Sequence, residues 1–458
     1  MESETTPVRE EPALGPSAEL VAQVADALDE NQPDEVGTLV RPLAAADLAD
    51  LIEQLDPDRR AKLIGALRNA FDPEVLPELS ESVRDEVAEE IGIEGLARAI
   101  ARLESDDALL LISSLEEGKQ RQVLRTLPAA LRAVVEEGLT YPEESAGRLM
   151  QRDLVAVPAF WSVGEVIDFM RETDDLPDDF NDLFVIDPRH RAVGRVALNR
   201  LLRTKRPVLI GDIMDRDIIT VPAETDQEEV AFLFRQHDLL SMPVVDPSQR
   251  LLGVITIDDV VDVIEEEAEE DMLRLAGVGE TDIHATVRET APRRVRWLIV
   301  TLINTCIASF VISHFEGTIS RMVALAVLMP IVAAMGGNAG MQVVAVTVRA
   351  LATRQLTAAN MLRVVSKELI VGGVNGIVFA AIMGTVAALW FHDGRLGLVL
   401  AAAMVFNMVW AGFAGTMLPL LIARSGADPA IAAGPFLTTT TDVLGFLSFL
   451  GLATLFLL

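Results

Sequence analysis

This chain of 458 residues has almost no cysteine and lacks clustered histidines and recognisable catalytic motifs. Cys306 is its only cysteine, so the chain can build neither an intrachain disulfide nor a thiolate metal site. Its 5 histidines are scattered without ligand spacing, which argues against zinc. No nucleophile–base pair and no phosphate loop is recognisable, so we expect no enzymatic activity. Residues 1–16 lack the basic start and apolar core of a signal peptide, and we expect a disordered tail there.

Basic residues are scarce before residue 292. Residues 1–291 carry 28 Lys and Arg against 64 Asp and Glu, whereas residues 292–458 carry 10 against 5. A region this acidic repels nucleic acid, and its natural partners are cations. For the average carboxylate the alternative is a solvated acidic surface that keeps the protein soluble.

Residues 17–140 contain a helical repeat. Apolar side chains recur every 24 residues, as at Ile52, Leu76, Ile100 and Leu124, and lie three and four apart within each unit. Each unit predicts a short helical hairpin that buries its apolar face only by stacking on its neighbours. We expect a small acidic solenoid, which serves either as a structural scaffold or as a movable lobe that docks through bound cations.

Residues 144–257 contain an internal duplication. Met150–Phe160 matches Met214–Glu224, and Phe184–Leu202 matches Pro243–Val261, with an insert near Leu176–Phe180. Each copy alternates β-branched runs with helical segments, which predicts a small α/β module. The duplication resembles a tandem pair of CBS domains, a module that binds adenine nucleotides or ions in many regulatory proteins.

The CBS resemblance implies one candidate nucleotide site. A Thr/Ser-x-x-Asp after the last strand of such a module often holds a ribose, and the second copy has Thr256 and Asp259 at these positions. The first copy has Ala197 and Arg200 instead. We therefore expect ATP or another adenine nucleotide at one half of the pair at most.

An acidic connecting helix and linker follow in residues 258–291. Nine carboxylates lie between Asp258 and Asp271, several of them three to five residues apart and hence on one face. Like charges on one face repel unless something neutralises them. A divalent cation shared with a neighbouring domain is one solution, and a solvated acidic helix is the other.

Residues 292–458 predict a transmembrane domain of five helices. A basic and aromatic entry at Pro292–Trp297 precedes apolar spans near 297–315, 323–348, 364–391, 397–423 and 431–457. Arg349, Arg354, Arg363 and Lys367 crowd the second connection, and Arg424 lies in the fourth. By the positive-inside rule we expect a multi-pass protein of the cell membrane with cytoplasmic N-terminal domains and an external C-terminus.

Polar residues within the spans predict a cation path. Asp442 lies in the last span after four threonines, and a carboxylate at membrane depth costs roughly 3 kcal/mol or more, so it is usually functional. Gly336 and Gly340, like Gly372 and Gly376, have the spacing of tight helix contacts. The candidates for lining the path are Asn338, Gln342, Glu368, Gly434, Pro435 and Thr441.

The domain order and four motifs resemble the MgtE family of magnesium channels. The motifs are GGNAGMQ at Gly336–Gln342, VRALATRQL at Val348–Leu356, KELIVG at Lys367–Gly372 and DPAIAAGPFLTTTTDVLG at Asp428–Gly445. The resemblance implies a helical solenoid, an α/β CBS pair, an all-α five-helix membrane domain and a homodimer with its pore on the two-fold axis.

The same resemblance implies the roles of individual carboxylates. Asp442 matches the ion-selecting carboxylate of the family, and Asp428 matches an acidic position near the inner mouth of the pore. Cytoplasmic Mg²⁺ is expected to join the acidic lobe, the CBS pair and the connecting "plug" helix into a closed state. The matching sensor positions are Asp226, Glu228, Asp238, Asp259, Asp262, Glu267, Glu270 and Asp271.

The sequence therefore favours Mg²⁺ uptake through a Mg²⁺-gated channel, with two alternatives. The first is a channel for another divalent ion such as Co²⁺, Ni²⁺ or Mn²⁺, although the lack of Cys and His ligands near Asp442 favours a hard ion. The second is a membrane-anchored CBS sensor that transports nothing. Such a sensor would need neither Asp442 nor the glycine-rich motif in its spans.

Overall fold

A computed structural model describes residues 15–67, 70–173, 176–177, 180–275, 287–357, 359–425 and 428–458. Most of the expected N-terminal tail, part of the insert of the first CBS copy and most of the linker after the acidic helix lie outside these ranges. The chain divides into two compact units, Met1–Glu266 and Glu267–Leu458.

The first unit begins with nine described helices, which confirm the helical repeat. Their apolar positions meet in one continuous core, where Ile52, Leu76 and Ile100 are fully buried. Pro57 supplies the first residue of α4, where its missing N–H costs no hydrogen bond. The helices are α1 (Ala18–Asp29), α2 (Pro33–Val40), α3 (Ala45–Gln54), α4 (Pro57–Leu67), α5 (Val75–Glu78), α6 (Glu81–Ile100), α7 (Ser105–Ser114), α8 (Glu117–Thr126) and α9 (Ala129–Gly138).

The remainder of this unit consists of two equivalent α/β modules, as the duplication predicts. Two three-stranded sheets have the orders β1-β2-β3 and β4-β5-β6, each with a parallel pair followed by an antiparallel pair. The register shifts at the equivalent place in both, between Val185 and Ile186 and between Val244 and Val245. The elements are α10 (Ala146–Leu149), β1 (Ala156–Pro158), α11 (Val163–Glu172), β2 (Asp182–Ile186), β3 (Ala192–Ala197), α12 (Leu198–Arg203), α13 (Ile210–Ile213), β4 (Val221–Pro222), α14 (Gln227–His237), β5 (Ser241–Val245) and β6 (Leu251–Thr256).

The acidic helix α15 (Ile257–Leu275) begins in the first unit and ends in the second. Within the described residues, five further helices are long and apolar enough to cross a membrane, which confirms the predicted number of spans. The short helix α17 (Glu316–Arg321) lies between the first two of them. The five are α16 (Val287–Ser313), α18 (Ala324–Ala352), α19 (Met361–Phe391), α20 (Gly394–Arg424) and α21 (Pro429–Phe456).

Small residues bring the membrane helices into close contact, as their spacing predicts. A Cβ added to Gly372 of α19 would lie 2.6 Å from the carbonyl oxygen of Met408 in α20. One added to Gly412 would lie 2.6 Å from the carbonyl oxygen of Glu368. Because the backbones approach this closely, α19 and α20 pack without side chains between them at these two levels.

Candidate cation sites

Asp442 is half-buried in the middle of the last membrane helix. Among the described residues, none forms a hydrogen bond or an ion pair with its carboxylate. The hydroxyl groups of Thr438, Thr439 and Thr441 donate to carbonyl oxygens one turn earlier in the same helix, at 2.7–3.0 Å. These threonines therefore satisfy their own O–H groups, and the carboxylate is left as an unpaired acceptor.

A buried amide fixes the helix that carries Asp442. The side chain of Asn407 in α20 is fully buried, and its Nδ2 donates to the carbonyl oxygen of Val332 in α18 at 2.9 Å. It fits between Gly336 of α18 and Gly445 of α21, where an added Cβ would collide with it. Gly445 lies one turn after Asp442, so three helices are locked together next to the carboxylate.

The other predicted lining residues fall on different helices. Gly434, Pro435 and Thr441 share α21 with Asp442, and Asn304 of α16 donates to the carbonyl oxygen of Pro435 at 3.1 Å. Asn338 and Gln342 are exposed on α18, and Glu368 is nearly buried on α19. Three of the six candidates therefore lie on α21 with Asp442, and the other three lie on α18 and α19.

A second acidic group joins the end of α15 to the start of α21. Arg274 forms an ion pair with Glu270 on its own helix, and its Nη1 donates to Asp428 Oδ2 at 2.6 Å. Asp428 also caps α21 by accepting from the backbone N–H of Ala430 at 2.7 Å. Burial, and next the charge of Asp428, raise the pKa of Asp271. The sequence singled out the three carboxylates but gave no sign that Arg274 joins them.

The first unit contains a third, more deeply buried acidic group. Burial raises the pKa of Asp107 to about 6 and that of Asp259 to about 7. Asp106 is buried with one carboxylate oxygen lacking a hydrogen bond among the described residues. Burial, and next the charge of Asp259, raise its pKa well above the ordinary range. Three carboxylates from α7 and α15 thus lie where deprotonation is costly unless a cation binds.

Sequence reasoning found Asp259 of this group but missed its two partners. A cluster of acidic residues in the sequence could have indicated them, since Glu104, Asp106 and Asp107 surround Ser105 at the start of α7. A smaller neighbouring group is formed by Asp262 and Glu78, both with a pKa raised first by burial. Asp50 further raises the pKa of Glu78.

The sensor positions in the second CBS copy do not form one group. Asp226 caps the start of α14 and accepts from the N–H of Glu228 at 2.9 Å. Asp238 ends the same helix of 11 residues in a left-handed conformation, with φ 51°. A helix of this length places its two ends about 16 Å apart. Asp226 and Asp238 therefore cannot hold the same ion within one chain.

Asp238 instead lines a cavity of about 210 Å³ beside the first CBS copy. Asp182 on its wall is paired with Arg195 at 3.3 Å and accepts from the Ser241 hydroxyl at 2.7 Å. At the predicted ribose site, Thr256 Oγ1 donates to Asp259 Oδ2 at 2.8 Å. The cavity lining comprises Asp182, Arg195, Ala197, Arg200, Asp215, Asp238 and Leu240.

The carboxylates are close together but are not arranged as a finished metal site. In the part of the chain that the structure describes, no three Asp, Glu, His or Cys side chains are placed as ligands of one ion.

These features define a class of protein, a multi-pass membrane transporter with an acidic helical lobe and a CBS pair. Family models match in the same order: "MgtE intracellular N domain" at residues 43–144, "CBS domain" at 146–206 and 210–266, and "Divalent cation transporter" at 329–452. The chain belongs to the MgtE family of magnesium transporters. The resemblance that the motifs indicated is thereby confirmed.

Individual relatives cover nearly the whole chain. A magnesium transporter MgtE of Thermus thermophilus is 32% identical over 96% of this chain and 98% of its own length. Another, from Bacillus subtilis, is 29% identical over the same shares of both chains. The crystal structure of the cytosolic domain of the Mg²⁺ channel MgtE in complex with ATP matches 53% of this chain and 99% of its own. Its TM-score is 0.50 and its sequence identity 29%.

Proposed function

We propose that this protein is a Mg²⁺-selective channel of the cell membrane, used for magnesium uptake, whose opening is set by Mg²⁺ on the cytoplasmic side. The observation that carries the proposal is the carboxylate of Asp442, which lies within a membrane-spanning helix and has no hydrogen-bond or ion-pair partner among the described residues. A charge at this depth is costly, and the usual compensation is a passing ion and its waters. Family membership supports magnesium as that ion.

A homodimer would complete the path. One Asp442 supplies one carboxylate, whereas two copies related by a two-fold axis would place two of them facing each other across that axis. Two carboxylates hold a hydrated Mg²⁺ without stripping its water shell. The contact of Asn407 with Gly336 and Gly445 supports this arrangement, because it fixes the position of α21 within each copy.

Gating is proposed to use the buried carboxylates of the soluble part. At neutral pH and low Mg²⁺, Asp106, Asp107 and Asp259 must either bind protons or separate, since burial disfavours their charged forms. Mg²⁺ would neutralise them and hold α7 against α15. In the same closed state the last turn of α15 would stay on α21 through Arg274 and Asp428.

The proposed orientation places residues 1–291 in the cytoplasm and the C-terminus outside, because four basic residues crowd the second connection and Arg424 lies in the fourth. Nucleotide binding by the CBS pair is also proposed, since the cytosolic domain of a relative was solved in complex with ATP. The candidate sites for it are Thr256 and Asp259 of the second copy and the cavity beside Arg200.

Ion flux into proteoliposomes tests the path. Wild type is expected to carry Mg²⁺, and Asp442→Asn is expected to reduce the flux by at least tenfold. Glu316→Gln, which removes an exposed carboxylate of the same domain, should change nothing. Equal flux through Asp442→Asn would rule out Asp442 as the selecting residue. Preferred flux of Mn²⁺, Co²⁺ or Ni²⁺ would favour a different ion, and a folded dimer that carries no ion would favour the sensor.

A further inference from the structure

A polar groove lies on the membrane domain away from the helix of Asp442. It has a volume of about 150 Å³, and its walls come from α18, α19 and α20. Among the described residues that line it, none belongs to α21. Its polar lining consists of Gln342, Glu368 and Asn375.

Glu368 is the charged group of this groove. Its side chain is 12% exposed and lies in the second turn of a membrane-spanning helix. Its one ion pair among the described residues is with the adjacent Lys367, at 3.5 Å, and that lysine side chain is 71% exposed. An exposed lysine side chain at this distance holds the nearly buried carboxylate only weakly.

The two amides of the groove are also without partners. In the described part of the chain, neither Gln342 nor Asn375 forms a hydrogen bond with another residue. Both lie within spans and are exposed on the surface of the chain, so their amide groups are accessible to a ligand. Asn375 follows Glu368 by seven residues and Gly372 by three, so the three share one face of α19.

The floor of the groove is backbone. Gly372 and Gly412 bring α19 and α20 so close that an added Cβ at either position would meet a carbonyl oxygen at 2.6 Å. At these two positions, therefore, no side chain rises from the floor towards Glu368. The groove keeps one carboxylate and two amide oxygens open to an external ligand.

We propose that this groove is a second cation site, which binds a hydrated hard cation independently of Asp442. One carboxylate with amide oxygens is the ligand set that such ions take in proteins, directly or through water. The volume leaves room for an ion with several waters. Glu368 supplies the charge, and Gln342 and Asn375 orient the water shell.

Cysteine protection tests the site locally. Val346 lines the groove and is 60% exposed, so Val346→Cys in a Cys306→Ser background reports on access to it. In the dimeric full chain in nanodiscs, Mg²⁺ at about ten times its Kd should slow the reaction with a charged methanethiosulfonate roughly tenfold. Val374→Cys is the matched control, because Val374 is 56% exposed on α19 and does not line the groove.

Two background substitutions separate the proposal from its alternatives. Glu368→Gln should abolish the protection, and unchanged reactivity of Val346→Cys without Mg²⁺ would show that this variant is folded. Asp442→Asn should leave the protection intact. Replacing Mg²⁺ by Na⁺ distinguishes a divalent from a monovalent site, because only an ion that binds in the groove slows the reaction of Val346→Cys.

Three results would overturn the proposal. Protection that persists in Glu368→Gln would be an indirect effect of Mg²⁺ on the soluble domains, whose carboxylates that variant keeps. Protection by neither ion would mean that the groove holds no cation. A Val346→Cys that never reacts would mean that a second copy of the chain covers the groove. None of these results depends on whether the protein conducts Mg²⁺, so the site and the proposed function fail separately.

Discussion

Individual carboxylates in this protein are protonated or charged according to their burial. Asp107 has a pKa of about 6 and Asp259 of about 7, against an ordinary value of 3.8. The unfolded chain releases the protons of these groups near pH 4, whereas the folded state keeps them up to about pH 6 to 7. Folding stability from this group is therefore complete at low pH and is lost as the pH rises through the folded-state values.

Stability of the soluble part is accordingly expected to fall with pH when divalent ions are absent. For a fragment of residues 1–275 in EDTA, we expect the melting temperature to drop by about 5 °C or more between pH 5 and 8. Mg²⁺ at pH 8 should restore most of the loss, because it replaces the protons. Calorimetry measures both effects, and a melting temperature that rises from pH 5 to 8 in EDTA would contradict the assignment.

Substitution of Asp106 isolates the same effect at one residue. Asp106→Asn replaces a buried carboxyl, whose pKa is raised by burial, with a neutral amide, so this variant should lose less stability than wild type as the pH rises to 8 in EDTA. The difference should vanish near pH 4, where the wild-type carboxyl is itself neutral. Glu94→Gln, at an exposed carboxylate of α6, serves as the control and should not change the pH dependence.

At the scale of elements, the contact of α18, α20 and α21 sets the position of Asp442. Gly336 leaves the space that Asn407 fills, whereas Gly337, the next residue of α18, has nothing within 4 Å of an added Cβ. Gly336→Ala is therefore expected to destabilise the membrane domain by about 1–3 kcal/mol through overpacking. Gly337→Ala should be neutral or slightly stabilising.

Thermal unfolding in detergent compares the two glycine variants directly. Reduced Mg²⁺ flux in Gly336→Ala, with normal flux in Gly337→Ala, would link the helix contact to the path. If both variants unfold at the wild-type temperature, the close contact of Asn407 with Gly336 does not hold these helices together.

The contact between α15 and α21 depends on Arg274. Without this guanidinium, Glu270, Asp271 and Asp428 would face each other with no positive charge between them. Arg274→Gln should therefore raise the Mg²⁺ concentration that closes the channel, by roughly fivefold for an ion pair worth about 1 kcal/mol. Arg274→Lys keeps the charge and should lie nearer wild type. Closure at lower Mg²⁺ in Arg274→Gln would show that the arginine competes with the ion instead of holding the contact.

The elements themselves were largely predictable from sequence, because periodicity and duplication are local patterns. The 24-residue repeat predicted the stacked helices, and the matching halves predicted two equivalent sheets. Contacts between distant residues were not predictable in this way. The charge of Asp259 acts on Asp106, 153 residues earlier in the chain, and Arg274 donates to Asp428, 154 residues later. No rule of sequence spacing predicts such pairs.

The whole molecule separates charge between its two parts. Residues 1–291 carry 64 acidic side chains, and the membrane part carries 10 basic residues against 5 acidic ones. Salt screens exposed charges over about 10 Å, but buried groups much less. The acidic surface as a whole should therefore respond to ionic strength, whereas the buried carboxylates near Asp259 should respond to divalent ions specifically. This difference makes the proposed gate a sensor of Mg²⁺ more than of total salt.

Mg²⁺ flux with control of the ion on each side of the membrane tests the central claim most directly. With Mg²⁺ on the C-terminal side alone, wild-type proteoliposomes are expected to fill. Raising Mg²⁺ on the side of the soluble domains should then stop one-way flux of a Mg²⁺ tracer, while the same ionic strength of NaCl should not. Flux that ignores Mg²⁺ on that side would contradict the account of gating, and flux that survives in Asp442→Asn would contradict the account of the path.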